Sequence, residues 1–402
     1  MKSYDVVVVG AGPIGSRVAY LTAKKGWKTL LVEEHKVPGK PSHCAGKIYV
    51  EAFKEFNLPR EAVVGRVRGA YFYSPKGYMF KVSRRSVDSY IVDREILDFR
   101  MAEKAFDVGA VLSLKTKCYG FEGENRLWYT VKLKRGDEKF EVKTRVLVDA
   151  EGWNPIIAKK AGLWRNIKYL KGLQYEMDNV NFNHEEFVEL YFGEKFFPGF
   201  FGWIIPLGDG KARVGLCVNK DLTLRSPAYH LKKALKLNKE IFRKTREGKV
   251  LKVFGGFIPI HGPLKRLVFG RIVLVGDSAG QVKSTTGGGI YFGLKASDLA
   301  GEAISNFLES GKYGALRFYE KAFWRSYGWR LKFTSFIRRL LDRFSDDELD
   351  GLFRLVGENK KFLAKVEKEC SSQSQVKVFG LMVKEPKLLL GLSKFALKSF
   401  LW

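Results

Sequence analysis

Residues 5–34 constrain the possible fold more strongly than any other part of this 402-residue chain. Four consecutive valines, at residues 6–9, are typical of a parallel strand that is buried on both faces. The sequence Gly-Ala-Gly-Pro-Ile-Gly follows at residues 10–15, and the apolar pattern then predicts a helix over residues 16–25 and a second strand over residues 29–32. A glycine-rich turn between a buried strand and a helix predicts a βαβ unit that binds a dinucleotide.

Each glycine of this turn has a separate physical reason. We expect Gly10 to make the tight turn, Gly12 to let a pyrophosphate approach the backbone, and Gly15 to let the helix pack closely on the strand. The phosphates would bind free N–H groups at the positive end of the helix, beside Ile14. Glu33 follows Gly15 by eighteen residues, where a carboxylate can hold the ribose hydroxyls. This unit alone does not distinguish FAD from NAD.

A second glycine-rich motif makes that distinction. A predicted strand at residues 271–275 leads into Gly-Asp-Ser-Ala-Gly, and three consecutive glycines at residues 287–289 then begin a helix, although each costs ~1 kcal/mol relative to alanine there. The arrangement resembles the second FAD motif of the para-hydroxybenzoate-hydroxylase-like flavoproteins. The resemblance implies that the cofactor is FAD, that Asp277 holds its ribityl chain, and that Gly289 and Ile290 contact it.

Two further segments agree with this resemblance. Val92-Asp93-Arg94 precedes a predicted helix, and the resemblance places Arg94 beside the FAD phosphates, which suit a permanently charged guanidinium. A single strand predicted over residues 111–121 would bring the backbone of Cys118 to the adenine. Residues 146–152 resemble the family's Asp-Gly segment, but Glu151 replaces the usual aspartate. That departure weakens any NAD(P)H-binding role at this place.

Two segments resemble the geranylgeranyl reductases. Residues 41–47, Pro-Ser-His-Cys-Ala-Gly-Lys, resemble the cysteine-centred segment that passes beside the flavin in that family. The resemblance implies that Cys44, Ala45 and Lys47 contact the cofactor and that Cys44 acts in catalysis. His43 is a candidate proton donor on the same segment. Ordinary core packing remains an alternative for Cys44, as for most free cysteines.

The second segment, residues 201–208, resembles the strand that forms the wall of the prenyl cavity. Phe201, Trp203 and Pro206 are its predicted substrate contacts, although Phe201 replaces the usual Tyr and Ile205 the usual Phe. Phe201 and Trp203 lie on one face of a strand, so simple core packing is again an alternative.

These resemblances imply a reductase that saturates carbon–carbon double bonds of geranylgeranyl chains in archaeal membrane glycerolipid precursors, using hydride from reduced flavin. NAD(P)H or a reduced ferredoxin-type protein would supply the electrons. The alternative is a flavin monooxygenase or a flavin-dependent halogenase that acts on a small aromatic substrate, because the halogenase pattern Trp-x-Trp-x-Ile-Pro differs here only at Phe201. A lipid-carrying protein with a redox-silent flavin is a third class.

The charge of the chain predicts an anionic partner. Lys and Arg number 71 against 43 Asp and Glu, and the net charge of +28 attracts polyanions. Nothing in the chain resembles a module that reads nucleic acid, so we expect an anionic membrane surface and no nucleic acid. A highly charged surface with no such partner is the alternative.

The C-terminal region combines basic and aromatic residues. Between residues 317 and 343, eight Lys or Arg and two acids are interleaved with Phe318, Tyr319, Phe323, Trp324, Tyr327, Trp329, Phe333, Phe336 and Ile337. After Val376, lysines alternate with apolar residues up to Phe400, Leu401 and Trp402. Such helices suit the interface of an anionic membrane, and they also suit a helical cap over the cofactor domain.

Four scattered cysteines predict neither a disulfide framework nor a metal site. The N-terminus resembles no signal peptide, and the longest apolar stretch, residues 196–207, is interrupted by Pro198, Gly199 and Gly202. We therefore expect a cytoplasmic protein, peripheral on the inner face of the cell membrane.

Together these patterns predict an α/β fold with a doubly wound, Rossmann-like FAD-binding domain made of residues 1–68, 88–162 and 262–312. An antiparallel-sheet substrate-binding domain, residues 69–87 and 163–261, is inserted into it. Residues 313–402 are predicted to form a helical C-terminal region.

Overall fold

The predicted βαβ unit is present in the computed structural model, which describes residues 1–123 and 127–391. Strands β1 (Lys2–Val9) and β2 (Thr29–Val32) are parallel neighbours, and helix α1 (Pro13–Lys24) connects them. The valines at residues 6–8 are fully buried, as their continuous run predicted. The helix starts three residues earlier than expected because Pro13 occupies its first turn, where a missing N–H costs nothing.

This unit forms the centre of an eight-stranded sheet, which confirms the predicted α/β class. The parallel part runs β18, β11, β1, β2, β8, and β17 pairs antiparallel with β18 at one edge. Strands β9 and β10 extend from β11 as an antiparallel meander. The bounds are β8 (Val111–Ser113), β9 (Thr116–Gly123), β10 (Tyr129–Arg135), β11 (Glu138–Asp149), β17 (Val268–Phe269) and β18 (Ile272–Leu274).

The single strand expected over residues 111–121 is wrong. It is divided into β8 and β9 because Lys115, between them, adopts a left-handed backbone with φ of 51°. The backbone N–H groups of Lys115 and Thr116 then donate to the carbonyls of His35 and Glu33. Cys118 therefore lies on the meander rather than on the parallel part of the sheet.

Helices α3 (Arg94–Asp107) and α7 (Ile290–Ser310) pack on either side of α1. Asp93 caps α3 by accepting hydrogen bonds from the N–H groups of Glu95 and Ile96. The helix predicted after the glycine run begins at Ile290, as expected, and continues to Ser310. Its contact with α1 brings the two glycine motifs to the same end of the sheet.

A seven-stranded sheet lies beside the first one. Its order is β16, β12, β15, β14, β13, β5, β6, and helix α5 packs on β12 and β15. The sheet is antiparallel, as predicted, except that β13 and β5 are parallel, because β5 comes from an earlier segment of the chain. The bounds are β5 (Gly69–Tyr73), β6 (Met79–Ser83), β12 (Tyr169–Asp178), β13 (Phe187–Tyr191), β14 (Gly202–Gly208), β15 (Lys211–Asn219), β16 (Lys249–Pro259), α5 (Pro227–Leu237) and α6 (Lys239–Thr245).

A third, three-stranded sheet lies next to these two. Its order is β3, β7, β4, and both pairs are antiparallel. Strand β4 also contacts β14 of the seven-stranded sheet. The remaining bounds in this part of the chain are β3 (Lys47–Tyr49), β4 (Val63–Val67), β7 (Ser89–Val92), α2 (Val50–Glu55) and α4 (Ile156–Lys160). The sheets follow the predicted domain ranges, but the division into domains stays a prediction.

The C-terminal region is helical up to the last described residue. It contains α8 (Gly314–Phe323), a π-helical turn at Trp324–Gly328, α9 (Trp329–Leu341), α10 (Asp346–Glu358), α11 (Lys360–Glu369) and α12 (Gln375–Val383). Tyr319 and Phe323 are fully buried against the eight-stranded sheet, so they belong to the core. Phe400, Leu401 and Trp402 lie outside the described residues. Within residues 1–123 and 127–391, no helix has the length and apolarity needed to cross a bilayer.

Replacing Gly15 with Ala tests the packing at the centre of this fold. A Cβ at Gly15 would lie 1.9 Å from the carbonyl oxygen of Gly10, so the backbone must shift. We expect a loss of ~1–3 kcal/mol in stability, measured as a lower thermal midpoint of the apoprotein. Gly314→Ala is the matched control, because its Cβ meets nothing within 4 Å and it begins α8. Equal midpoints for both variants would contradict this account.

Candidate active site

The glycine turn forms an open cradle at the start of α1. Gly10 has φ of 103°, and a Cβ there would lie 2.3 Å from the carbonyl oxygen of Ala150. A Cβ at Gly12, in contrast, would meet nothing within 4 Å. Helix α1 begins without a side-chain cap, which leaves the positive end of the helix available to an anion. Gly10 and Gly15 thus keep the turn compact, and the space beside Gly12 and Ile14 fits a pyrophosphate.

Glu33 ties the end of β2 to this turn. Its Oε2 accepts a hydrogen bond from the Ala11 N–H at 2.9 Å, and its Oε1 accepts from the N–H and the Nδ1 of His35 at 2.9 and 2.7 Å. Because a carboxylate has about four acceptor positions, about one remains for a ribose hydroxyl. The predicted ribose contact is therefore compatible with a carboxylate that also stabilises the turn.

Asp277 and Gly289 face each other at the second motif. A Cβ at Gly289 would lie 3.1 Å from Oδ1 of Asp277. Burial raises the pKa of Asp277 to about 6, and the charge of Arg94 acts in the opposite direction. Among the described residues, the carboxylate of Asp277 has no hydrogen-bond or ion-pair partner. A partly buried acceptor without a protein partner fits the hydroxyl groups of a ribityl chain.

Ile14 connects the two motifs. Its side chain lies 2.5 Å from the position of a Cβ at Gly293 and 3.3 Å from that at Gly276. Its carbonyl oxygen also accepts a hydrogen bond from Ser297 Oγ on α7. Ile290, the first residue of α7, is partly buried beside Ile14. The predicted phosphate and ribityl contacts are therefore adjacent, as an extended dinucleotide requires.

The Cys44 segment is held from the seven-stranded sheet. Gln174 Nε2 donates to the carbonyl oxygen of Cys44 at 3.1 Å, and Arg213 Nη1 donates to that of Ala45 at 3.0 Å. The Cys44 Sγ accepts a hydrogen bond from the Gly46 N–H at 3.3 Å. Gly46 has φ of 76°, and a Cβ there would lie 2.5 Å from Arg213 Nη1. The segment is therefore fixed by backbone contacts that only a small residue permits.

Arg94 lies close to the Cys44 segment. Its Nε and Nη2 donate to the two carboxylate oxygens of Asp98 at 2.8 and 2.7 Å. Burial lowers the pKa of Arg94, whereas Asp98 and then Cys44 raise it. The raising effects are larger, so the pKa of Arg94 lies above the ordinary value for arginine. A guanidinium has five donors, so several remain for a ligand. The predicted contact of Arg94 with FAD phosphates stays a prediction.

Lys47 and Cys118 lie in different surroundings. Lys47 Nζ donates to Ser89 Oγ at 2.8 Å and to Asp88 Oδ2 at 3.4 Å. Cys118 is buried in the core of the eight-stranded sheet, and burial raises the pKa of its thiol to about 12. Only the backbone of Cys118 is therefore suited to contact an adenine, in line with its predicted role.

Phe201 and Trp203 belong to a buried apolar cluster between the sheets. Their rings pack edge to face with centroids 6.2 Å apart, and Phe200 stacks on Phe201 at 4.1 Å. Pro206 is also buried in β14, but side chains alternate along a strand, so it points to the opposite face. The apolar cluster consists of Val67, Ile91, Leu170, Val188, Phe200, Phe201, Trp203, Ile205, Cys217 and Ile260.

Gln174 joins this apolar cluster to the Cys44 segment. Trp203 Nε1 donates to Gln174 Oε1 at 3.2 Å, and the amide group of the same glutamine donates to Cys44. The sequence-based prediction missed Gln174 and Arg213. For Arg213 the available signal was a charged residue inside the mostly apolar strand β15, whereas β12 contains several other polar residues and gave no such signal for Gln174. Such residues are buried only with hydrogen-bond partners, and here the partner is the predicted flavin segment.

Comparison with known proteins identifies the family of the chain. A model of the FAD dependent oxidoreductase family matches residues 5–100, and a model of the geranylgeranyl reductase catalytic domain matches residues 169–258. A digeranylgeranylglycerophospholipid reductase of Methanocaldococcus jannaschii is 33% identical over 388 residues, which cover 90% of this chain and 94% of that protein.

Among solved structures, a reductase-like protein is also similar to this chain. A geranylgeranyl bacteriochlorophyll reductase-like protein of Thermoplasma acidophilum has a TM-score of 0.87 at 25% identity, over 98% of this chain and all of that one. The halogenase PltM in complex with FAD has a TM-score of 0.67 at 14% identity, over 91% of this chain and 83% of that one, and shares the fold alone.

The two glycine motifs, the open Asp277 carboxylate and the matching family model define an FAD-dependent oxidoreductase. The similarity of this chain to its reductase relatives also identifies a family within that class. This chain belongs to the digeranylgeranylglycerophospholipid reductase family.

Gly12→Ala separates cofactor binding from folding. The backbone at Gly12 has φ of −66°, which any residue adopts, and the added Cβ meets no protein atom within 4 Å. We expect an unchanged thermal midpoint for the apoprotein but at least about tenfold weaker FAD binding, or about 1.4 kcal/mol, in a fluorescence titration. Wild-type affinity in this variant would show that the pyrophosphate does not approach Gly12.

Proposed function

We propose that this chain is an FAD-dependent reductase that saturates the carbon–carbon double bonds of geranylgeranyl chains in membrane glycerolipid precursors. The observation that carries the proposal is the hydrogen-bonded connection from Trp203 through Gln174 to Cys44. This connection joins a buried aromatic cluster to the segment that we propose to contact the flavin. The names of the relatives support the same substrate class.

An isolated alkene carries no polar group that would orient it, so alignment of the chain and exclusion of water are the main contributions of the protein to binding. Reduced FAD supplies a hydride when it is bound. Phe201 and Trp203 present flat apolar surfaces against which a prenyl chain can pack, and both are at most 9% exposed. Arg213 and Gln174 keep the Cys44 segment at a constant distance from those rings. Cys44 is proposed to lie beside the cofactor, where its small thiol permits close approach.

A monooxygenase or halogenase is the alternative for this fold. The likeness to the halogenases is one of fold alone, whereas the relatives with the higher identity are reductases. Use of oxygen separates the reaction classes, because an oxygenase or halogenase requires it and a prenyl reductase does not.

We expect the FAD-loaded protein, reduced by dithionite without oxygen, to convert a geranylgeranyl glycerolipid into products heavier by two hydrogens for each saturated double bond. Mass spectrometry of the extracted lipids measures this directly. Protein without FAD is the control. Turnover that requires oxygen, or halide incorporation into an added phenol, would favour the alternative.

We also propose that the enzyme takes its lipid from an anionic membrane surface on the inner face of the cell membrane. Along α8, the π-helical turn and α9, exposed basic and aromatic side chains recur every three or four residues on one side. This basic–aromatic stripe consists of Lys321, Arg325, Trp329, Lys332, Phe336 and Arg339. Basic groups near an anionic surface contribute ~1 kcal/mol each, and exposed aromatic rings suit the interface.

NAD(P)H or a reduced ferredoxin-type protein is proposed as the electron donor. The net charge of +28 favours encounter with an acidic redox protein, whereas Glu151 beside Asp149 disfavours a dinucleotide at that segment. Anaerobic mixing of the FAD-loaded enzyme with each donor, followed by flavin absorbance, decides between them.

Trp329→Ser combined with Phe336→Ser tests the membrane proposal. Both side chains are about half exposed, so their loss should leave folding intact. Wild type should sediment with phosphatidylglycerol vesicles, less so at high salt and little with neutral vesicles, and the double variant should bind at least about tenfold more weakly. Phe106→Ser is the control, because Phe106 is a similarly exposed aromatic residue on α3. Equal losses in both variants would contradict a role specific to the stripe.

A further inference from the structure

Two lysines lie at the boundary between the apolar cluster and the second glycine motif, the three glycines at residues 287–289. Lys283 lies four residues before the first of these glycines and is only 5% exposed. Its N–H donates to the carbonyl oxygen of Gly288, and its own carbonyl accepts from the N–H of Gly287. The side chain lies over Gly288, since a Cβ there would be 2.9 Å from Lys283 Cε. The absence of a side chain at Gly288 thus makes room for the buried lysine.

Lys47 and Ser89 connect the surroundings of Lys283 to the apolar cluster. Lys47 pairs directly with Ile91 across β3 and β7, and Ser89 pairs with Val67 across β7 and β4. Directly paired residues, and residues two apart on one strand, point to the same face of a sheet. Ile91 and Val67 belong to the apolar cluster, so the ammonium group of Lys47 lies at its border.

Among the described residues, the ammonium group of Lys283 is incompletely paired. Its Nζ donates to the carbonyl oxygen of Ser372 at 3.0 Å, which uses one of three donors. Lys47 repels it, and Asp88 is the nearby acid, already engaged by Lys47, Arg84 and the Ser372 N–H. Gly287, next to it, contacts Ile258, which packs on the apolar cluster. A buried ammonium with free donors therefore lies between the predicted flavin turn and the predicted prenyl site.

We propose that Lys283 is the proton donor for alkene reduction, with Lys47 and Asp88 as positioning residues. This inference rests on the proposed function. One alkene carbon takes the hydride that reduced FAD supplies, and the π electrons of the double bond take a proton from the Lys283 ammonium at the other carbon. Two C–H bonds form, the cofactor is oxidised, and Lys283 becomes a neutral amine that regains a proton from water before the next turnover.

The acid–base properties of the surroundings support this choice. Burial and then the charge of Lys47 lower the pKa of Lys283 to about 7, while Asp88 raises it. A general acid is most effective when its pKa lies near the working pH. His43, the candidate from the sequence, has a lowered pKa because of partial burial and the charge of Arg94. Its imidazole is therefore neutral at pH 7 and poorly suited to donate a proton.

Single-turnover kinetics test the proposal on the full chain loaded with FAD. The enzyme is reduced without oxygen and mixed with a geranylgeranyl lipid, and flavin reoxidation is followed by absorbance. Lys283→Met and Lys283→Arg should both slow this step by ~100-fold or more, since arginine keeps the charge but does not release a proton. Lys312→Met, at an exposed lysine, should match wild type.

The outcomes are distinguishable. Wild-type reoxidation in Lys283→Arg would show that charge suffices and would overturn the proton-donor role. Failure of the wild type itself to react with the lipid would contradict the proposed function instead. Thermal midpoints and FAD content of the variants identify a loss that is merely structural.

The pH dependence of the reoxidation rate distinguishes a proton donor from a lysine that only contributes to packing. The wild-type rate should fall as pH rises through about 7, because the ammonium form is lost. Asp88→Asn removes the charge that raises the pKa, so the midpoint should move to lower pH. Lys47→Met removes the repulsion, so it should move to higher pH. Identical profiles in wild type and both variants would overturn the proposal.

A measurement on the apoprotein needs no turnover at all. The ¹³Cε signal of Lys283 in lysine-labelled protein, assigned by its absence in Lys283→Arg, should titrate near pH 7. A midpoint at the ordinary lysine value of about 10.4 would overturn the proposal.

Discussion

The close contact of three backbone segments at Gly10, Gly15 and Ala150 is the constraint on which the site depends. Side-chain atoms at Gly10 or Gly15 would overlap a neighbouring carbonyl oxygen, so β1, α1 and the end of β11 can approach only through glycine. This approach orients the start of α1 over the sheet and leaves the space at Gly12 open. It also brings Ile14 into contact with α7, and so Asp277, the predicted ribityl acceptor, lies near the predicted phosphate site.

A second set of contacts joins the seven-stranded sheet to the Cys44 segment. Arg213 and Gln174 belong to strands of that sheet, yet their side chains bond the backbone of the Cys44 segment. Arg213 also donates to the carbonyl oxygen of Val92, which precedes α3. A buried arginine with three polar partners avoids the large cost of an unpaired buried charge. The distance between the Cys44 segment, which is predicted to contact the flavin, and the aromatic cluster is therefore set by hydrogen bonds.

The C-terminal helices divide into two chemical roles. Tyr319 and Phe323 are buried in the main core, and Tyr319 donates to the carbonyl oxygen of Leu274 on β18. Trp329 and Phe336 are exposed among basic residues on the next helix. Cap and membrane surface, which the composition presented as alternatives, are therefore compatible within one helical region. The loop before α12 also accepts a hydrogen bond from Lys283 at Ser372, which joins this region to the glycines at residues 287–289.

The sequence by itself determined the Rossmann-like unit, the FAD motifs and the helical C-terminal region. Their signals are local, because buried valines, glycines at fixed spacing and an acid at a strand end each reflect backbone requirements of neighbouring residues. It did not reveal the break at Lys115, where contacts with His35 and Glu33 divide one apolar run into two strands.

Only the tertiary structure decided which polar residues meet at the site. Gln174, Arg213 and Lys283 lie on segments far from Cys44 in the sequence, and pairing over such distances leaves no periodic signal. In the structure, Pro206 and Trp203 lie on opposite faces of β14, because side chains alternate between the two faces along a strand. Burial and charge at Lys283 depend on Lys47, Asp88 and Ser372, which three different elements bring together, so its chemistry exists only in the folded chain.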